Sequence, residues 1–144
     1  RVAKVEWRLF ASPRYVEEFG EPAAPQDLKG HSGMCLGWRN DIGQWRLHSN
    51  EENSKVIQFT PRLSSDDMGT LKEACAAGLG IVSLPAYVCT NDVKIGRLLE
   101  ILPDWISGDA TLSLLQPSRK GTSPAVSAFT EHVTQKLPEF VLAK

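Results

Sequence analysis

The sequence predicts an α/β domain built on a mixed sheet, and three observations carry that expectation. Val56–Tyr87, VIQFTPRLSSDDMGTLKEACAAGLGIVSLPAY, reads as strand, helix, strand, and strands joined through a helix run parallel with a right-handed crossover. Trp45–Leu47 and Val56–Thr60 flank the polar turn SNEENSK and read as an antiparallel hairpin added to the edge of that parallel sheet. Further short strand patterns alternate with amphipathic helical ones along the rest of the chain.

Taken in order, Val5, Trp7 and Leu9 alternate with Lys4, Glu6 and Arg8, a strand over residues 4–11. Ser12 and Pro13 supply an N-cap and a proline at the first helical position. Tyr15, Val16 and Phe19 give that short helix an apolar face, and Gly20 closes it. Glu21–Gln26 is a turn region, and Asp27–Gly30 a brief helical turn. MCLGW, Met34–Trp38, is the next strand, and RNDIGQ a loop before the hairpin.

In the central unit, Ile57, Phe59 and Pro61 alternate with Gln58 and Thr60 as a half-buried strand does. Ser64 and Ser65 are placed to cap the helix. Asp66 and Asp67 sit in or beside its first turn, where carboxylates favour the positive dipole end. Met68, Leu71 and Cys75, with Ala74 beside them, form one apolar face. Gly78 or Gly80 ends the helix in a left-handed conformation. Ile81–Leu84 is short, apolar and largely β-branched, as a strand buried on both faces should be. Pro85 then begins a helix over Ala86–Val93. RLLEIL, Arg97–Leu102, is a strand, broken by Pro103–Trp105. Ile106–Asp109 is a loop and TLSLLQ, Thr111–Gln116, the last strand. Ser123 and Pro124 open the last helix, Val126, Phe129, Val133 and Leu137 form its stripe, and Pro138 stops it.

Composition narrows the function classes. The chain has 144 residues, long enough for one core, and its 42% hydrophobic content argues against disorder. Sixteen Lys and Arg against seventeen Asp and Glu leave no bulk basic charge to hold a polyanion. No run approaches the ~18 apolar residues of a membrane span. RVAKVEWRLF has interspersed charges and no cleavage site after an apolar core, unlike a signal peptide. Cys35, Cys75 and Cys89 are an odd set in apolar contexts, which suits buried thiols in a reducing cytoplasm. None has CxxC spacing or a nearby His at ligand spacing, so no metal is expected.

Ligands of open α/β sheets bind at the carboxyl edge of the strands. This makes Ser64, Ser65, Asp66, Pro85, Ala86 and Tyr87 candidates, with a pure capping role as the alternative for the Ser and Asp residues. Trp38 and Arg39 join them because they end a strand at a loop; the alternative is a core Trp and a solvated Arg. The acidic pair already occupies the helix-terminal field that a bare anion would use. Gly78–Gly80 is GLG after a helix, not a phosphate loop before one. There is no GxSxG and no HExxH. His31, His48 and His132 are scattered. Asp66 and Asp67, adjacent in a helix, point about a hundred degrees apart and cannot face one substrate atom together. No catalytic set, cofactor or metal site is expected.

Five fragments in order carry a resemblance: LFASPRYVEEFGEPAAPQDLKGH (Leu9–His31), CLGWR (Cys35–Arg39), PRLSSDDMGTLKEACAAGLGIVSLPAY (Pro61–Tyr87), IGRLLEILPDW (Ile95–Trp105) and LQPSRKGTSPAVSAFTEHV (Leu115–Val133). Together they resemble the effector-binding, or substrate-binding, domain of LysR-type transcriptional regulators. The resemblance implies a type II periplasmic-binding-protein-like fold with helices on both sheet faces. It implies one complete lobe at residues 4–102. Residues 103–144 then hold the crossover and the C-terminal part of the other lobe. It implies a small-molecule effector in a cleft formed by Trp38, Arg39, Ser65, Asp66, Pro85, Ala86 and Tyr87. Asparagine is more usual in the family at Asp66, and a cleft-facing aspartate favours a neutral or cationic ligand.

Against the family pattern, the DNA-binding helix-turn-helix and the opening of the first lobe are not in this sequence, the expectation for an N-terminally truncated chain. Direct nucleic-acid binding is then not expected of it. DNA would be reached through the helix-turn-helix of a full-length protein. Burying each side chain of the last-helix stripe is worth roughly 1.5–3 kcal/mol, so the stripe is expected to be covered by another copy of the chain or partly disordered. Self-association, a cytoplasmic location and no membrane contact complete the expectation. The alternatives are a solute-binding lobe of a periplasmic-type binding protein, a small enzyme using the same sheet-edge cleft, and a truncated module that poisons longer oligomers.

Overall fold

The structure, a computed structural model, describes residues 3–37, 42–50, 53–112 and 124–141. Its strands are β1 (Ala3–Ala11), β2 (Gly33–Leu36), β3 (Gly43–His48), β4 (Ser54–Phe59), β5 (Pro61–Ser65), β6 (Ile81–Pro85), β7 (Leu99–Ile101) and β8 (Gly108–Leu112). Its helices are α1 (Pro13–Phe19), α2 (Met68–Ala76), α3 (Ala86–Lys94) and α4 (Pro124–Val141), with a 3-10 turn at Pro25–Leu28. The main sheet runs β5-β2-β6-β1-β7. Its strands β5, β2 and β6 are mutually parallel, and β1 is antiparallel to β6 and β7. The first half of β1 pairs with β8, Trp7 opposite Gly108, and its second half with β7, Leu9 opposite Ile101. The sheet is mixed, with helices on both faces, as the sequence predicts.

Alternation along β1 and β6 divides the core in two. Phe10, Met34, Val82 and Leu84 point to one face and meet Leu71 and Cys75 of α2, Cys89 of α3, and Leu98. Leu9, Ala11, Ile81 and Ile101 point to the other and meet Tyr15 of α1, Leu28, and Trp45, Leu47 and Ile57. The period of two sends neighbouring side chains to opposite faces. As expected of a strand covered on both sides, Ile81, Val82 and Leu84 are fully buried. The local signals hold where they are strongest. Ser12 Oγ accepts from Tyr15 N at 3.0 Å, with Pro13 next, and Gly20 ends α1 at φ 87°. Gly78, at φ 93°, follows α2 in the left-handed region.

Several expectations are corrected. The hairpin forms its own two-stranded sheet, β3-β4, and does not extend the main one. Trp45, Leu47 and Ile57 lie on one side of it, and that side buries against the sheet face rather than beside its edge. The crossover therefore starts from Pro61–Ser65, not Val56–Thr60, and β2 lies between β5 and β6. Ser64 and Ser65 are strand residues, and the N-cap is Asp67, whose carboxylate accepts from Gly69 N and Thr70 N. Residues 106–109 form only a short connection, because β8 begins at Gly108 where Trp7 offers a partner; residues 113–116 lie outside the described residues. The predicted 97–102 strand is ordered as a ladder only at Leu99–Ile101. The turn predicted at 27–30 lies at Pro25–Leu28, started by a proline at its first position. Pro138 does not end α4, which continues to Val141; a proline removes one helical bond and is compatible with a kink. The cap at Ser123 lies outside the described residues.

Candidate functional site

Strands β5, β2 and β6 end at one sheet edge. Leu36 lies beside Ser65, Gly37 N donates to Ser65 O at 2.8 Å, and Pro85 lies opposite Trp7. Of the predicted residues, Ser65, Asp66, Pro85, Ala86 and Tyr87 thus share this edge. Ser65 is half-buried and its Oγ accepts from Asp67 N at 3.1 Å, supporting the helix cap. Asp66 is exposed; Pro85 is buried; Ala86 and Tyr87 are half-buried in the first turn of α3. Trp38 and Arg39 follow β2 and lie outside the described residues.

Beside this edge, on the hairpin-facing side of the sheet, is a cleft of about 430 Å³. Its floor is Trp7 of β1, Met34, Cys35 and Leu36 of β2, Ser83 of β6, and Ser107 with Gly108. Its wall is Ile42–Trp45 and Phe59 of the hairpin. Backbone bonds lock these parts together. His48 N donates to Ile106 O at 3.0 Å, Ile106 N to His48 O at 2.8 Å, and Ser107 N to Trp7 O at 2.8 Å. The turn leading there holds Leu102 at φ 51°, a left-handed conformation costing roughly 1–2 kcal/mol. Burial of its side chain in the core opposes that cost. Ser83 and Ser107 meet across the floor, Oγ to Oγ, at 2.7 Å.

Trp7, Trp45 and Phe59 are the aromatic residues of the lining. Trp45 and Phe59 stack at 4.0 Å with 21° between planes. They lie close over β2, where a Cβ on Gly33 would fall 2.6 Å from Trp45 Cζ2. The absence of a side chain there is what lets the rings approach. Trp45 is 2% exposed, and its Nε1 is buried without a hydrogen-bond partner among the described residues. An unpaired buried donor costs about 1–3 kcal/mol, so the position asks for an acceptor.

The electrostatics are plain. No histidine, carboxylate or amine is among the described residues that line this cleft with Ser83, Ser107 and Cys35. Burial pushes the Cys35 thiol up. It pushes Cys75 and Cys89 up to about 12, with Cys75 further raised by the neighbouring Cys89 thiol and Cys89 by the Asp92 carboxylate. All three are neutral thiols, poor as nucleophiles. His31, in the α1 layer, is lowered by burial, and its Nδ1 lies 2.7 Å from the Tyr15 hydroxyl. No cluster of metal-ligating residues occurs among the described residues. A second groove, of about 550 Å³, lies between β1, the hairpin turn and Pro103–Ile106. Its Arg8 is already committed: Nη1 donates to Pro103 O and Trp105 O, and Nη2 to Glu6. The floor residues Trp7, Cys35, Ser83 and Ser107 were missed by sequence reasoning. The one sign of them was Ser83, a lone hydroxyl inside an otherwise apolar buried strand.

The family model of the LysR substrate binding domain matches residues 1–138. The chain belongs to this family. It is 28% identical to the uncharacterized HTH-type transcriptional regulator YhjC of Escherichia coli over 134 residues, 91% of this chain and 44% of that protein. The regulatory domain of AphB from Vibrio vulnificus superposes with a TM-score of 0.80 at 24% identity, over 94% of this chain and 66% of that one. That of CrgA, a LysR-type regulator from Neisseria meningitidis, gives 0.71 at 20% identity, over 94% and 67%. These two likenesses establish the fold, type II periplasmic-binding-protein-like. The chain spans less than half the length of the curated relatives it matches. No helix among the described residues is long and apolar enough to cross a membrane.

Proposed function

We infer that this chain senses a small-molecule effector as part of a LysR-type transcriptional regulator. The observation that carries the reading is the cleft beside the carboxyl edge of β5, β2 and β6 in a chain of this family. The aromatic wall and the serine pair supply contacts and orientation, and no base is among the described residues that line the cleft with the two serines. Ser65, Asp66, Pro85, Ala86 and Tyr87 are the residues of that edge placed to meet the ligand's outer end, and Trp38 and Arg39 remain candidates on the sequence alone. Residues 4–102 are one lobe, and residues 103–144 the crossover and part of the other. A ligand that favours one lobe arrangement shifts the population of assembled states. DNA is contacted by a helix-turn-helix belonging to a longer protein in the cytoplasm.

Pools of small metabolites, screened by thermal unfolding of this chain, test the reading. An effector at a hundred times its Kd stabilises by about 2.7 kcal/mol, a rise of roughly 5–10 °C. Ser83→Leu, which fills the floor, is expected to abolish that rise while the fold persists. A rise that survives this substitution places the ligand elsewhere.

Self-association is part of the same reading. On α4, Val126 and Phe129 are 47% and 63% exposed although they stand on the apolar stripe. A second copy covers them. Light scattering is expected to give a dimer or larger; a monomer whose α4 amides are protected from exchange would contradict this.

A further inference from the structure

The entry of β2 is held by a short chain of hydrogen bonds outside the cleft. Tyr15 of α1 is 2% exposed, and its hydroxyl oxygen accepts from Ser32 N at 3.1 Å. The same oxygen lies 2.7 Å from His31 Nδ1. A phenol has a single hydrogen to give. With the oxygen already accepting from Ser32, that hydrogen goes to Nδ1, which assigns the neutral imidazole its own hydrogen on Nε2.

Ser32 carries this chain into the sheet. Its carbonyl accepts from Ile81 N at 2.9 Å. A Cβ on Gly80 would fall 2.6 Å from the same oxygen, so the backbone entering β6 is pressed against it. The next residue, Gly33, opens β2 and pairs with Pro61 on one side and Ile81 on the other. Met34, Cys35 and Leu36 of that strand lie on the cleft floor.

A proton on His31 reverses one of these bonds. Nδ1–H becomes a donor, and it faces a hydroxyl whose hydrogen has lost its acceptor inside a buried residue. Such an unpaired group is costly. His31 is half-buried, so the charged ring has a route to water, and taking it breaks the Tyr15 contact. Among the described residues, two charges act on the pair. Asp27 of the 3-10 turn favours the charged imidazole, but its carboxylate also accepts from Ala23 N and Ala24 N. Arg62 of β5 acts on Tyr15, and its Nη1 donates to Leu79 O. Burial outweighs Asp27 and lowers His31 from its ordinary value, so the neutral ring is the resident form at neutral pH.

We propose that Tyr15, His31 and Ser32 form a proton-operated latch on the entry of β2, closed while the imidazole is neutral and released when it is charged, so that mild acid loosens the strand on the cleft floor. The latch stands on this hydrogen-bond geometry; its meaning as pH control of effector sensing rests on the reading of the cleft as the effector site. The unfolded chain takes up this proton at a higher pH than the folded one. The latch's stabilisation is therefore whole above the ordinary histidine value and is lost as pH falls through the folded one.

The ¹⁵N-labelled chain is titrated between about pH 7.5 and 5, with the His31 ring and the amides of Ser32, Met34 and Cys35 followed by NMR. The ring signal is assigned by its loss in His31→Gln, which keeps a neutral acceptor for the Tyr15 hydroxyl. The Ser32 amide is expected to shift with the His31 midpoint. Its protection from exchange, corrected for the intrinsic rate, is expected to fall about three- to tenfold from the neutral to the acid side. Met34 and Cys35 follow with smaller shifts at the same midpoint. His31→Gln is expected to remove these steps and to make the acid-side fall in melting temperature shallower. Tyr15→Phe is expected to raise the His31 midpoint toward the ordinary value, which a histidine held down by burial alone would not show. If that variant does not fold, the His31→Gln comparison decides the matter. A Ser32 amide that stays still through the His31 midpoint, or moves equally in His31→Gln, overturns the latch and leaves the effector reading standing. Movement of Ser32 with Met34 and Cys35 stationary overturns the link to the cleft. A metabolite screen without any ligand overturns the control of sensing, whatever the latch does.

Discussion

The two faces of one sheet are finished differently. On the face covered by α2 and α3, polar groups are matched. The Cys75 thiol donates to Phe10 O at 3.3 Å. Buried Asp92 holds Arg97 Nη1 at 2.6 Å and Lys72 Nζ at 3.1 Å, and Arg97 also reaches Glu73 at 2.7 Å. On the face covered by the hairpin, a cleft remains and the Trp45 indole nitrogen has no partner among the described residues. Both faces bury large side chains, so burial alone does not distinguish them. What distinguishes them is whether each buried polar group is satisfied within the chain. A core whose buried polar groups are matched gains their full stability, whereas one that leaves a buried donor unmatched forgoes about 1–3 kcal/mol.

The comparison is tested most severely on the helix-covered face. Leu71→Ala removes a fully buried side chain from the α2 contact and is expected to cost about 2–5 kcal/mol in urea unfolding. Effector affinity measured below the transition is expected to stay within about twofold, since Leu71 does not line the cleft. A large loss of affinity would mean that the two faces are mechanically one.

Gly33→Ala acts on the opposite face. Its methyl group meets the Phe59 and Trp45 rings, so they must shift, at about 1–3 kcal/mol. Here effector binding is expected to fall more than stability does. The reverse order of effects would show that the aromatic pair is only filling.

The smallest effect concerns pH. The Thr70 hydroxyl, then the Gly69 and Thr70 amides, hold the Asp67 carboxyl below its ordinary value. A group depressed in the folded state stabilises above its unfolded pKa, and that stability is lost as pH falls through the folded one. Asp67→Ala is therefore expected to lower the melting temperature at neutral pH and to make its acid-side decline shallower. Because Asp67 is exposed and caps α2 alone, effector affinity is expected to be unchanged. An acid profile identical in both proteins would remove Asp67 from the account.

Legibility in the sequence followed the range of the forces involved. Ser12 and Pro13 announced α1, and the apolar run Ile81–Leu84 announced a strand covered on both faces, because capping and periodicity are local. In the run Ser64–Asp67, however, every residue is a good N-cap by type. The choice of Asp67 was made by β2, whose pairing with Ser64 and Ser65 draws them into a strand. The hairpin was legible as a hairpin, since Trp45, Leu47 and Ile57 alternate with polar residues. Its stacking over the sheet was not, because the same apolar side serves at a sheet's edge or over its face.

The sequence by itself determined most of the elements, the ends of α1 at Ser12 and Gly20, the mixed α/β class and the likeness to LysR effector-binding domains, all consequences of side-chain chemistry within a few turns of chain. The tertiary structure alone decided that β2 lies between β5 and β6, that Ser83 meets Ser107, and that the Trp45 nitrogen is sealed without a partner among the described residues. Those facts depend on residues distant in the chain competing for the same buried surface, and no local pattern records which pair wins.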